Sequence, residues 1–455
     1  MKKHSHNMIN GPLLPSIITY TIPLILTSVL QLLFNAADLV IVGRFCGSVS
    51  VAAVGATGAI TSLVINLFIG FSVGAGVTVA HGMGAKEEEA VHRTVHTAIP
   101  TAIVSGAVLT VVGVVFSEDL LTMMGTPESV LPLSALYMRI YFGGMIFNMV
   151  YNFVASILRA VGDTKSPLIF LSIAGVVNVG LNVIFVTVFH MNVAGVALAT
   201  TASQAISAVL VTITLMRRKD SCRLYLKKMR FYKVQLLKMI RIGLPAGLQG
   251  SLFSISNVII QSSINSFGEV VMSGNAAAGN LDGFIYVIMN AFHQTTVNFV
   301  GQNVGARKYD RVKKILYTCL ASVIVAGLSA SILMYIFSPK LLSIYITDSP
   351  EAIASGMVRM SVVCLCYFLC GLMDTATGAL RGMGASITPM VISVMGVCGI
   401  RLGWIFTVFQ IPQFHTPFWL YASYPVSWLA TFAAHFIAFQ KLYRKRVAMF
   451  GASDR

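Results

Sequence analysis

The stretch LLFNAADLVIVGRF, residues 32–45, carries one acid, Asp38, inside a long apolar run. On a helix, Gln31, Asn35 and Asp38 share one face, because they are spaced by four and three residues. A charge at the bilayer centre costs about 2.5–3.5 kcal/mol on insertion scales, so it normally faces a polar partner or a wet cavity. This face predicts a site for a cation or a proton. The alternative is a packing hydrogen bond, or a position near the interface and Arg44.

Partners for this acid are available in two later apolar segments. In AGVVNVGLNVIFV, Asn178 and Asn182 are four residues apart and share one helical face. The next segment, GVALATTASQ, offers Thr200 and Thr201. We therefore expect the partner of Asp38 to come from these two segments.

Acids and an arginine also occur in apolar segments further along the chain. Asp282 and Gln294 lie in NLDGFIYVIMNAFHQ, Asp374 in CGLMDTATGALRG and Arg401 in GIRLGWIF. These four residues form a candidate cation or substrate site. The alternative is that Arg401 pairs with one acid and neutralises it, which leaves the other acid for a cation or a proton. We interpret His293 as a packing histidine in preference to a proton relay.

Composition fixes the class of protein that positions these residues. The chain has 455 residues, of which 56% are hydrophobic and 11% are charged, whereas a soluble domain has about 25% charged residues. Apolar runs of about 20 residues recur along its whole length and indicate membrane-spanning helices. The sequence predicts an all-α polytopic membrane protein with about twelve spans and short polar links. The predicted spans lie near residues 14–43, 52–80, 95–116, 133–156, 167–189, 193–216, 236–263, 270–300, 315–338, 355–379, 386–409 and 418–440.

Lysine and arginine predict the orientation of these spans. If the spans simply alternate, all but five of the 32 Lys and Arg residues lie on the side of the N-terminus. This asymmetry predicts that both termini are cytoplasmic. It also explains the net charge of +16, because basic cytoplasmic loops are attracted to anionic lipid. Nucleic-acid binding is disfavoured, since the charges flank spans and do not form one patch.

An internal repeat divides the chain into two homologous halves. ASILRAVGDTKSP begins at Ala155, and TGALRGMGASITP begins 222 residues later at Thr377. Pro23 and Pro245 have the same displacement, and Arg139 recurs as Arg359 at 220. We interpret these two arginines as interfacial anchors. The repeat predicts four parts: an N-terminal six-helix bundle 1–216, a basic cytoplasmic linker 217–235, a C-terminal six-helix bundle 236–440 and a basic cytoplasmic tail 441–455.

Because each half has six spans, both halves begin on the same side of the membrane, and the repeat is parallel. Two such bundles are expected to enclose a central cleft and to rock about it, by analogy with other repeat transporters. Glycines at 70, 74 and 76 suit close helix packing. The position equivalent to Asp38 in the second half is Ile260, so the acid is not part of the duplicated scaffold. This difference favours a functional role for Asp38.

The chain resembles the MATE family, the multidrug and toxic compound extrusion transporters. The resemblance rests on the twelve spans, the two LRxxG loops at Arg159 and Arg381, the GAK and GAR loops and the first-span acid. It implies export of organic cations and other amphipathic drugs in exchange for protons or sodium. Flippases for lipid-linked precursors share the fold and are the alternative. An intramembrane enzyme is disfavoured, because the chain has no HExxH motif, and it has no GxxxxGK[ST] loop for ATP.

The resemblance also implies an ion-coupling site in the first half. Asp38, Asn178 and Thr200 match the family pattern, whereas Asn182 stands where such members carry a second carboxylate. An amide oxygen can ligate sodium but cannot take up a proton. With one carboxylate, the proton is slightly favoured over sodium. Asn35 on the face of Asp38 belongs to the same predicted site.

In the second half the match is weaker. A family glutamate is missing near LPAGLQGSLFS, where Gln249 and serines stand, and Asp374 lies about one turn from the family aspartate. We expect a monomer in a cell membrane with a small amphipathic substrate and no cofactor. We expect no nucleic-acid partner, and no metal beyond a sodium ion. Seven scattered cysteines predict neither a metal site nor a disulfide framework.

Overall fold

Long helices dominate the structure, a computed structural model that describes residues 7–347 and 349–451. In this described part the chain forms no β-strand. Helices satisfy all backbone hydrogen bonds within one segment, which the apolar runs require in lipid. The helices are α1 Leu13–Phe45, α2 Ser48–Ala85, α3 Glu88–Met123, α4 Leu131–Gly143, α5 Met145–Ala160, α6 Lys165–Val183, α7 Asn192–Met216, α8 Lys233–Asn265, α9 Glu269–Gly305, α10 Tyr309–Tyr345, α11 Pro350–Arg359, α12 Tyr367–Gly382, α13 Ile387–Ser393, α14 Ile400–Phe406 and α15 Pro417–Gly451.

Each of the twelve segments predicted to span the membrane is helical. In the described residues, eight helices or continuous helical segments are long and apolar enough to cross a membrane. The count is nine if α4 and α5, which bend by 48°, form one span. The bend falls at Gly144, where a Cβ would lie 2.9 Å from the Thr201 hydroxyl. The chain is therefore an all-helical, multi-pass membrane protein. The predicted basic tail 441–455 continues α15 as far as Gly451, and residues 452–455 lie outside the described part.

Short stretches of π-helix interrupt the regular helices at three places. They lie at Ile184–Val188 after α6, Met360–Cys364 after α11 and Val394–Gly399 between α13 and α14. Such turns shift the direction of the side chains that follow or precede them, and they are frequent at functional sites. Asn182 and Arg401 each lie within two residues of one of these stretches.

Contacts group the chain into two compact units. One comprises Ile22–Ser251, and the other comprises Met8–Thr21 with the described residues of Leu252–Arg455. The limits therefore fall inside α1 and α8, whereas the domain boundaries predicted from the repeat fall beside the linker. The core of the first unit includes residues of α2, α3, α4, α5 and α7, and the core of the second includes residues of α8, α12, α14 and α15.

Two glycine pairs in the first unit confirm that helices pack closely at the predicted positions. Gly70 and Gly74 of α2 face Gly243 and Gly247 of α8. A Cβ at Gly243 would lie 2.6 Å from the carbonyl oxygen of Gly70. Small residues at this spacing let two helix backbones approach each other.

The linker predicted for 217–235 is held against α3 by hydrogen bonds. The backbone N–H of Tyr225 donates to His96 Nε2 at 3.0 Å, and that of Tyr232 donates to the Thr97 hydroxyl at 3.2 Å. His96 and Thr97 are fully buried. The contacts of these two side chains fix the path of the linker beside the first turns of α3.

Cys222 in the same linker is fully buried, and its Sγ lies 3.9 Å from the Met83 sulfur. Burial raises the pKa of the Cys222 thiol to about 12. The thiol is therefore protonated at neutral pH and poorly reactive.

Candidate functional site

Polar side chains from α1, α6 and α7 meet at Asp38. Asn182 Nδ2 donates a short hydrogen bond to Asp38 Oδ1 and a second bond to Asn178 Oδ1 at 3.2 Å. Thr200 Oγ1 donates to Asp38 Oδ2 at 3.5 Å and accepts from Asn178 Nδ2 at 3.4 Å. The structure thus brings together four of the five residues predicted for the first-half site.

The two asparagines of the cluster are buried, Asp38 and Thr200 are half-buried, and one acceptor has no donor. Asn178 is 4% exposed and Asn182 is fully buried. The side-chain oxygen of Asn182 is buried and has no hydrogen-bond partner in the part of the chain that the structure describes. A buried polar atom of this kind usually has a partner. Carboxylate, amide and hydroxyl oxygens in one place suit a hard cation such as sodium. Asp38 is the one member that can also carry a proton.

Local packing positions this cluster. Gly175 lies one turn before Asn178 on α6, and a Cβ there would overlap the ring of Phe34 on α1. The missing side chain lets Phe34 pack against α6, which brings α1 close to the asparagines. Asn182 lies two residues before the π-helical stretch Ile184–Val188.

Asn35 is the predicted site residue that the structure does not join to the cluster. Its side chain is exposed, as is that of Gln31, and it makes no side-chain hydrogen bond within the described residues. Successive residues on a helix turn by about 100°, so a residue three positions away is offset by about 60°. The shared face predicted from spacing is therefore wide, and only Asp38 on it reaches α6 and α7.

In the second unit Asp282 pairs with Arg359, and the predicted alternative of a pair with Arg401 is wrong. Arg359 Nε lies 2.9 Å from Asp282 Oδ2, and Arg359 Nη1 donates to Asn275 Oδ1 at 2.8 Å. Tyr421 donates to the same Asn275 oxygen at 3.2 Å. Asp282 is 2% exposed, and the side chain of Arg359 is 11% exposed. The interpretation of Arg359 as an interfacial anchor is therefore also wrong, because its charge is buried and paired.

The other predicted residues of the second unit are distributed over separate contacts. Arg401 Nε donates to Ser427 Oγ at 3.0 Å. Gln294 Nε2 donates to Asn290 at 2.6 Å. The carbonyl of Asp374 lies 2.7 Å from His293 Nδ1. Arg401 makes no ion pair within the described residues, so the four candidates do not form one ligand cluster.

Replacing Asp282 by Asn is expected to destabilise the protein. Asparagine keeps the shape of the side chain but removes the negative charge that faces Arg359. Breaking a buried ion pair from one side costs about 3–5 kcal/mol, because the other charge is left uncompensated. Thermal unfolding of the purified variant in detergent measures the loss. Glu118→Gln is the control, since it removes an exposed ion pair with Arg139, and a loss as large as that of Asp282→Asn would contradict this account.

A comparison with models of known protein families identifies the family of this chain. The family model MatE matches two segments, residues 23–184 and 245–406. Both limits of the second segment lie 222 residues after those of the first, the same displacement as the internal repeat. The two segments cover most of the chain, so the protein belongs to the MatE family. It is a multi-pass membrane transporter of that family.

Relatives and solved structures agree over nearly the whole length. The chain is 26% identical over 434 residues to the probable multidrug resistance protein YoeA of Bacillus subtilis (strain 168), covering 94% of this chain and 93% of that protein. It is 23% identical over 394 residues to the probable multidrug resistance protein NorM of Thermotoga maritima, covering 85% and 83%. A crystal structure of a MATE protein in the bent conformation matches with a TM-score of 0.90 at 18% identity, covering 99% of both chains. An outward-facing multidrug resistance MATE transporter also matches with a TM-score of 0.90 at 18% identity, covering 97% of this chain and 98% of that one. These two structures establish the fold.

Proposed function

We propose that this protein is a secondary antiporter that exports amphipathic, cationic drugs or metabolites in exchange for protons or sodium. The observation that carries the proposal is the cluster of Asp38, Asn178, Asn182 and Thr200. A half-buried acid with three polar neighbours can bind a cation, and an antiporter needs such a site for its coupling ion. The names of YoeA and NorM, both described as probable multidrug resistance proteins, support drugs as the exported substrates.

Of the two coupling ions, the proton is slightly favoured. The cluster holds one carboxylate, and the amide of Asn182 cannot be protonated in its place. Sodium remains the second candidate, because the free oxygen of Asn182 is a ligand that this cation accepts. One monovalent ion that enters down 100 mV supplies about 2.3 kcal/mol. That energy sustains roughly 50-fold outward accumulation of a substrate.

Transport would proceed by alternating access in a cell membrane, with both termini in the cytoplasm. The asymmetry of Lys and Arg between the links supports this orientation. We propose that the protein works as a monomer without a cofactor, on a small substrate and with no nucleic-acid partner.

A flippase for anionic lipid-linked precursors is the alternative of a related class. Such a protein would need several basic residues along the path of its substrate. In the second unit, Asp282 neutralises Arg359, and Arg401 is the one buried arginine among the four residues predicted for the second site. A single such charge in that predicted site favours the antiporter.

Purified protein in liposomes tests the proposal. A cationic dye is placed outside inside-out vesicles, and a proton or a sodium gradient is imposed in separate experiments. We expect uptake that follows one gradient and collapses when an ionophore for that ion is added. Uptake equal to that of protein-free vesicles under both gradients would contradict the proposal.

A further inference from the structure

Two buried guanidinium groups in the second unit face one tyrosine ring. The carbon at the centre of the Arg401 guanidinium lies 4.0 Å from the centroid of Tyr424, and that of Arg359 lies 5.7 Å from it. Asp282 is the acid of this group, and it is bound to Arg359. The group therefore has two positive charges and one negative charge, and the excess belongs to Arg401.

The contacts of Arg401 leave most of its donors unused. It is 4% exposed, and one of its five N–H groups, on Nε, donates to Ser427 Oγ. Its other contacts are with aromatic rings, Tyr424 at 4.0 Å and Trp428 at 5.6 Å. No carboxylate in the described part of the chain pairs with it. A ring covers the flat face of a guanidinium, so the edge that carries the two terminal nitrogens remains for a bidentate anion.

Aromatic side chains around Arg401 also offer a surface for an apolar ring. The ring of Tyr367 lies 5.0 Å from that of Trp428, and the ring of Tyr424 lies 5.7 Å from it. Such distances are typical of favourable ring pairs, and a substrate ring would meet this group at the half-buried side chains of Tyr367 and Tyr424. A buried charge of this kind in a membrane protein usually has a counter-charge, and here no residue of the described chain supplies it.

We propose that Arg401 binds the carboxylate of an aromatic substrate, with Tyr424 and Trp428 beside the substrate ring. The exported molecules would then include zwitterions, which carry an aryl carboxylate as well as a cationic group. The inference rests on the proposed export function for the identity of the ligand. Arginine suits this role better than lysine, because its planar fork matches the two oxygens of a carboxylate.

Trp428 provides a direct readout of this site. The chain has three tryptophans, so a Trp404→Phe/Trp419→Phe parent leaves Trp428 as the single fluorescent indole. Benzoate, benzylammonium and chloride are added to the purified parent at constant ionic strength. We expect a saturable change in Trp428 fluorescence with benzoate and none with the other two. In the same parent, Arg401→Gln removes the response, and Arg401→Lys weakens benzoate binding by about tenfold or more, because hydrogen bonds to charged groups are lost.

Controls separate this inference from a structural role of Arg401 and from the proposed function. Ser427→Ala is expected to keep the response, since it removes only the contact to Nε. Absence of a saturable benzoate response in the parent would overturn the proposal. An equal response to chloride, or an unchanged response in Arg401→Gln, would do the same. If Arg401→Gln does not fold, the test is benzoate binding by Arg401→Lys, and an affinity equal to that of the parent would overturn the proposal. If the protein transports the dye but does not bind benzoate, the Arg401 inference is contradicted and the proposed export function is not. The two results are independent, because the binding measurement uses no ion gradient.

Discussion

Replacing Asp38 by Asn is expected to abolish gradient-driven export while the protein stays folded. Asparagine has nearly the same shape as aspartate, and its amide can still bond to Asn182 and Thr200. It has no negative charge for a cation and cannot take up a proton. Dye uptake into proteoliposomes is therefore expected to fall to the level of empty vesicles, a loss of the roughly 50-fold accumulation that one charge at 100 mV can sustain.

The matched control for this variant is Thr200→Ser, which keeps the hydroxyl that faces Asp38. We expect Thr200→Ser to retain most of the transport. Thermal unfolding of both variants shows whether the loss lies in coupling or in stability. Wild-type uptake by Asp38→Asn would remove Asp38 from the coupling site.

The second large effect is expected at the glycine crossing of α2 and α8. A Cβ at Gly74 would overlap the carbonyl oxygen of Met239, and backbone atoms cannot rotate out of the way as a side chain can. Gly74→Leu must therefore separate the two helices. Overpacking commonly costs about 1–3 kcal/mol, and we expect the upper end of this range or more here. The measurement is thermal unfolding in detergent.

Gly58→Leu on the same helix is the control for this crossing. Gly58 is exposed, and a Cβ there would meet no atom within 4 Å. The change is expected to stay within about 0.5 kcal/mol, as is usual for surface positions. Equal destabilisation by the two variants would show that the close approach at Gly74 does not matter.

Much of the fold follows from the sequence because apolar runs of span length have few structures open to them in lipid. The limits of α1 at Leu13 and Phe45 lie within a few residues of the predicted 14–43. The cluster at Asp38 was also predictable, since Asn178 and Asn182 are four residues apart on one helix and the family pattern supplied the α7 threonine.

The contacts between distant helices were harder to predict. Arg359 and Asp282 are 77 residues apart, and local spacing does not show which of two arginines an acid will meet. The π-helical stretch that begins at Met360, directly after Arg359, also has no clear signal in the sequence. It alters the helical register next to Arg359, so the face predicted from a regular period does not hold there. The exposure of Asn35 was not predictable for a similar reason. Its spacing from Asp38 shows that both residues lie on one side of the helix, but not which other helices that side contacts.

Proton movement that accompanies substrate transport tests the central claim most directly. Sodium-free inside-out proteoliposomes contain a pH indicator, and a cationic substrate is added outside. If Asp38 couples the two fluxes, substrate entry drives protons out and the lumen becomes more alkaline, and Asp38→Asn shows no pH change. A pH change of the same size in Asp38→Asn, or substrate entry with no dependence on protons or sodium, would contradict the account.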